Sequence, residues 1–156
     1  MANIEELPRE FSSIQVLNKI YMCGGEKKEN DFRTVVLNDF WVLNEQKCEL
    51  ECLAPMKTAR AGHQLAHLHR KFEYQTKDYI YATGSKYPDQ KSKKCEVYDV
   101  AANKWTEIGD LNSSRHNHSL CVLESRYIYC LAGRDSLNES PLETFERVDG
   151  FLELEQ

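Results

Sequence analysis

Runs in which β-branched and aromatic residues alternate with polar ones recur along the chain, cut by glycine, proline and asparagine. The clearest, residues 80–105, reads IYATGS, then a lysine-rich gap, then CEVYDVAANKW. Alternation bounded by turn residues predicts a strand, a loop, a strand, a tight turn at Ala102 and Asn103, and a further strand. The same reading places strands over 13–17 and 19–24, over 38–44 and 49–53, over 64–68 and 79–84, and over 119–123, 127–133 and 143–149. Residues 26–34, EKKENDFRT, carry mixed charges and no strand pattern, so they read as a loop, as do 85–94 and 134–141. Residues 69–78 read as a longer excursion between two strands. Pro55 lacks an N–H and closes the strand before it. Ile4 and Leu7 share the spacing of Leu50 and Leu53 and of Trp105 and Ile108, so residues 4–7 are expected to form an isolated outer strand.

Self-similarity at a spacing of about 20 to 50 residues marks stacked repeats. Residues 40–68 lie over residues 95–123 without a gap, pairing Leu43 with Tyr98, Leu50 with Trp105, Met56 with Leu111, Arg60 with Arg115 and His63 with His118. An Ile-Tyr pair occurs at Ile20-Tyr21, Ile80-Tyr81 and Ile128-Tyr129. Each is followed by small residues: Gly24-Gly25, Gly84-Ser85 and Ala132-Gly133.

At these residues the chain resembles kelch repeats, the four-stranded blades of a β-propeller. The family pattern is a glycine pair ending the second strand, a Tyr in the third, a Trp in the fourth, and an Arg and a His leading into the next blade. Gly24, Gly25, Gly84, Gly133, Tyr98 and Trp105 match it. The first repeat has Leu43 and Leu50 in place of the aromatics, and the third has Val148 at the Tyr position. The resemblance implies an all-β fold, a partial kelch-type propeller of antiparallel four-stranded blades, two full and one partial. Its expected divisions are an N-terminal segment at 1–10, blades at 11–60 and 61–115, and a partial blade at 116–156. Tyr98 and Trp105 are expected to bury against the neighbouring blade.

Composition narrows the function. With 41% apolar residues, 8 Tyr, 6 Phe and 2 Trp, the 156-residue chain can build a core. The formal charge of −5 argues against nucleic acid as a partner. No apolar run approaches the roughly 20 residues that span a bilayer, and the first residues lack a secretory signal, so no membrane is expected. Six cysteines without a C-x-x-C pair suggest reduced thiols and a cytoplasmic location. Cys23, Cys121 and Cys130 fall in strands and read as core residues; Cys95, after two lysines, is the candidate for a reactive thiol.

Other candidate chemistry is thin. His63, His67 and His69 share one strand face by period two, a donor set suited to zinc or copper. His63 coincides with His118 in the repeat, which gives it a structural explanation, so no metal and no cofactor is expected. Asp31, Asp39, Glu96 and Asp99 read as solvated turns and strand ends. Ser113 to His116 holds a Ser near a His but no G-x-S-x-G elbow.

What the resemblance implies is a recognition surface. Loops after the second strand and between blades emerge on one face and offer Arg33, Arg60, Lys86, Tyr87, Arg115 and Arg134, and Arg and Tyr are types enriched at interface hot spots. Most kelch-like proteins are adaptors or scaffolds, including substrate receptors of cullin-based ubiquitin ligases and actin-associated proteins. The expected function is thus a non-catalytic module that binds a protein partner, with catalytic residues none. The competing reading is part of a propeller enzyme, an oxidase or sugar-processing enzyme similar to galactose oxidase. A propeller has about 4 to 8 blades of some 50 residues. At 156 residues the chain is therefore expected to be a fragment of a longer propeller, or else a homodimer in which each chain's first strand completes the other's last blade.

Overall fold

The computed structural model describes residues 7–87 and 90–150. Regular structure among them is strand throughout, save one 3-10 turn at Gln90–Lys93. Strands are numbered in chain order. The first sheet places β1 (Ser12–Val16), β2 (Lys19–Cys23), β5 (Phe40–Asn44) and β6 (Glu49–Cys52) side by side. The second repeats that order with β7 (Gln64–Lys71), β8 (Thr76–Thr83), β9 (Cys95–Asp99) and β10 (Lys104–Ile108). The third contains β11 (Ser119–Leu123), β12 (Tyr127–Leu131) and β13 (Phe145–Asp149). All pairings are antiparallel, and register makes the three Ile-Tyr pairs equivalent: Tyr21 faces Ile14, Tyr81 faces Ala66 and Tyr129 faces Cys121. The chain thus forms two four-stranded blades and a third with three strands. The outer strand expected at residues 4–7 lies, apart from Leu7, outside the described residues.

Successive blades stack on their apolar faces. Alternation along β9 and β10 turns Tyr98 and Trp105 toward the first blade, where both are buried in one cluster with Phe40, Tyr21 and Val16. The Phe40 ring lies edge-on to both, with centroids 4.7 Å from Tyr98 and 5.1 Å from Trp105. The opposite face of the second blade, with Leu68, Tyr79, Tyr81 and Val97, packs on Ile128 of the third.

The glycines explain why Arg and His recur in phase with them. Gly24 and Gly84 hold φ of +61° and +75°, in the left-handed region that favours glycine. A Cβ on Gly24 would stand 2.6 Å from the Arg60 carbonyl oxygen and 2.8 Å from His63 Cε1; on Gly84 it would collide with the Arg115 carbonyl and lie 2.8 Å from His118 Cε1. Each glycine therefore makes room for the backbone and ring of the next blade's entry segment.

Four expectations are corrected. Residues 26–34 are no simple loop: β3 (Glu26–Asn30) and β4 (Arg33–Val36) form a hairpin. Its strands are mostly exposed and pair with each other, apart from one bridge between Glu26 and Arg9, so no apolar alternation is needed to hold them. The tight turn is set by Asn30 Oδ1 accepting the Phe32 N–H at 3.0 Å. Residues 69–78 likewise continue the β7–β8 ladder, through His69 opposite Asp78 and Lys71 opposite Thr76. Cys121 is exposed, because it lies on the outward face of β11. Glu96, read as solvated, is fully buried.

Candidate protein-binding loop face

The loops after the second strands and the inter-blade connections meet at one end of the strands, and main-chain bonds join them into a continuous platform. Gly62 N donates to the Glu10 carbonyl at 3.0 Å, Lys86 N to Ala61 at 2.8 Å and Asn117 N to Gly62 at 2.8 Å. Ser136 Oγ donates to the Ser85 carbonyl at 2.6 Å. Segments from all three blades are thereby fixed relative to one another, which lowers the entropy of presenting them to a ligand.

Of the six side chains expected on this face, two are not offered to a partner. Arg60 and Arg115 are buried, with no exposed surface. Arg60 donates to the carbonyls of Gly84 and Lys94 and pairs with Glu96 at 2.8 Å, while Glu96 also accepts the N–H groups of Lys57 and Thr58. Arg115 does the same in the third blade, donating to the Ala132 carbonyl at 2.9 Å and to Glu146 at 2.7 Å, with Glu146 accepting Ser113 N. Those hydrogen bonds and the nearby guanidinium hold the Glu146 carboxyl below its ordinary range against the opposing effect of burial. The arginines anchor entry segments to their own blades.

The other four do reach the surface. Lys86 Nζ lies 2.8 Å from Glu10 Oε1 and 3.8 Å from Glu26 Oε2, and the hydrogen bond to Glu10 raises its pKa. Tyr87 donates its hydroxyl to Glu26 at 2.6 Å; burial, reinforced by Glu26, pushes it up to about 12. Arg134 is exposed and donates to the Glu139 carbonyl at 2.8 Å, beside His116, which lies 3.3 Å from the Glu139 carboxylate. Arg33, with 69% of its side chain exposed, pairs with Glu29 at 2.9 Å. Next to it at the hairpin tip stands Phe32, fully exposed, and Leu137 is 66% exposed on the third blade's loop. Neither belongs to an alternating run. An aromatic alone among the charges of EKKENDFRT was the available signal.

The remaining chemical candidates come apart. Cys95 is buried, and burial raises its pKa despite Arg60 nearby, so it is not an activated thiolate. Ser114 is buried and donates to Asp135 at 3.1 Å rather than to a histidine. His63 is buried with Nε2 3.0 Å from Cys23 Sγ, away from the half-buried His67 and exposed His69, whose ring nitrogens both approach Asp78.

No protein-family model matches the chain. Among curated proteins it is similar to kelch-like protein 25 of Homo sapiens, 31% identical over 125 residues, which are 74% of this chain and 19% of that one. A RING finger domain and kelch repeat-containing protein of Dictyostelium discoideum is 27% identical over 133 residues, 85% of this chain and 12% of that one. Alpha-scruin of Limulus polyphemus is 33% identical over 76 residues, 43% of this chain and 8% of that one. The chain thus spans less than a fifth of the length of these relatives. Among solved structures, that of YjhT superposes with a TM-score of 0.68 over 93% of this chain and 50% of that one, at 15% identity, a likeness of fold alone. With one sheet order repeated in phase, glycines seated on the next blade's histidine, and relatives named for the kelch repeat, the chain belongs to the kelch-repeat family as a partial β-propeller.

Proposed function

We propose that the chain is a non-catalytic interaction module, an adaptor or scaffold that takes a protein partner on its loop face. The observation that carries this reading is Phe32, wholly exposed at the tip of a hairpin beside Arg33, on the same side of the fold as Lys86, Tyr87, Arg134 and Leu137. An apolar anchor flanked by a guanidinium, on a platform fixed by main-chain bonds, is the arrangement that concentrates binding energy at protein interfaces. Glu10, Glu26 and Glu139 on this face are engaged by Lys86, Tyr87 and His116, which favours recognition over acid–base chemistry. A cytoplasmic location goes with the reading, because all six cysteines are free. No helix among the described residues is long and apolar enough to cross a membrane.

The test is affinity capture with the intact chain and three variants. Phe32→Ala and Arg33→Glu are expected to lose proteins that the wild type retains, whereas Lys104→Glu, in a strand away from this face, retains them. Identical capture by all four, or equal loss from all three variants, would overturn the assignment.

A further inference from the structure

Among the described residues, one group of three His, Cys, Asp or Glu side chains brings its ligand atoms within 4.8 Å of one another: His67, His69 and Asp78. The group exists because the β7–β8 ladder continues past the point where its counterparts turn. Period two places His67 and His69 on one face of β7, and the register puts Asp78 directly across from His69 on that face. In the first blade the corresponding positions, by register, are Gln15, Leu17 and Asn18, where the hairpin already turns; in the third they are Val122, Glu124 and Arg126. The fold therefore does not require this donor set, since two blades are built without it.

We propose that His67, His69 and Asp78 form a mononuclear site for a transition-metal dication of the zinc class, with water completing the coordination. His67 Nε2 lies 2.7 Å and His69 Nδ1 2.9 Å from Asp78 Oδ1. Zinc bonds of about 2.0–2.2 Å at tetrahedral angles spread their donors by about 3.4 Å, so each imidazole has to part from the carboxylate by only about 0.5–0.7 Å to admit the ion. The three side chains are 24%, 50% and 14% exposed, which leaves a path for the metal and room for water. Two imidazoles and a carboxylate suit zinc, nickel or copper better than calcium or magnesium, which favour all-oxygen shells. Arg70 and Lys77 pair on the other face of the hairpin, where Lys77 lies 3.8 Å from Asp99, so they do not point their charge into the site. The site lies at the far end of β7 from Gly62 and the loop face, and it stands apart from partner binding there.

The blander alternative is that both imidazoles merely donate N–H groups to Asp78. The two accounts differ in tautomer: donation needs the proton on His67 Nε2 and His69 Nδ1, whereas a metal takes those lone pairs and leaves the protons on His67 Nδ1 and His69 Nε2. The experiment is a calorimetric zinc titration of the intact, chelator-treated chain, with ring-nitrogen NMR as a second readout. One equivalent with Kd of about 10 µM or tighter is expected, together with the tautomer change. His69→Ala and Asp78→Asn should each weaken binding at least about tenfold, a loss that even the outer partners of metal ligands produce. Exposed Cys48, Cys52 and Cys121 are competing ligands. Cobalt(II) therefore replaces zinc in a control, and intense thiolate-to-metal absorption would overturn the site. So would binding that does not saturate by about 1 mM zinc, or a His69→Ala affinity within about twofold of wild type. Should His69→Ala fail to fold, His69→Gln takes its place under the same criterion.

Discussion

Arg60 Nη2 and Glu96 Oε1 meet at 2.8 Å with neither side chain exposed to solvent. Removing one partner of a buried pair strands the other's charge, which costs about 3–5 kcal/mol. Glu96→Ala is therefore expected to lower unfolding free energy by that amount in urea titrations, and Arg60→Ala similarly. Glu29→Ala, which breaks the exposed pair with Arg33, should change it by no more than about 1 kcal/mol.

Backbone handedness gives a paired prediction. Gly84→Ala places a Cβ on a φ of +75° and against the Arg115 carbonyl, so a loss exceeding about 1–2 kcal/mol is expected. The equivalent position in the third blade is Ala132, already held at φ +53°. Ala132→Gly should relieve that strain and leave stability unchanged or raised by up to about 1 kcal/mol. Thermal melts of the two variants compare the positions directly.

Stability should fall as the solution is acidified from about pH 6.5 toward pH 4. Burial first, and then the neighbouring Arg60 or Arg115, lowers the pKa of His63 to about 3 and of His118 to about 4. The unfolded chain takes up these protons near 6.5 while the folded chain refuses them. Their contribution is thus complete above the unfolded pKa and is lost as pH falls toward the folded ones. At pH 5 each histidine weakens folding by about 2 kcal/mol relative to pH 7. Urea midpoints across this range measure the slope, and His118→Gln should remove about half of it.

Thiol labelling of the native chain should separate the cysteines into two sets. Cys48, Cys52 and Cys121 are exposed and should react at once; Cys23, Cys95 and Cys130 are buried and should react only on unfolding. Burial pushes the Cys130 thiol up to about 11, which slows it further. Rapid native labelling of Cys95 would restore the reactive-thiol reading.

These outcomes also mark what the sequence could and could not convey. The blades were legible because alternation, the glycines and the pair Tyr98 and Trp105 are local signals repeated in phase. Repetition identified Arg60 and Arg115 as important without saying which way they point. Their direction depends on Glu96 and Glu146, some thirty residues on and in another strand. The hairpin at Glu26–Val36 was hidden because both its faces are largely solvated, so it lacks the apolar period by which strands are read. The strand position of His69 is hidden for a similar reason, since Arg70, Lys71 and Lys77 offer no alternation, and its partner Asp78 lies nine residues on, across a turn the sequence does not mark.

The division of labour at each junction bears on how such rings change length. Arg60 is bonded within the blade it enters, whereas the contact with the preceding blade is made by its main-chain carbonyl and the His63 ring on Gly24. The buried charge chemistry stays inside a blade, and the entry segment asks of the preceding blade a glycine to receive its carbonyl and imidazole, beside the apolar packing of the two faces. A duplicated blade, cut so that its arginine travels with its glutamate, would carry this joint with it, leaving the apolar packing of the two faces to be matched. The joint behaves as a standard coupling, and the number of blades becomes a quantity that recombination can alter in whole units.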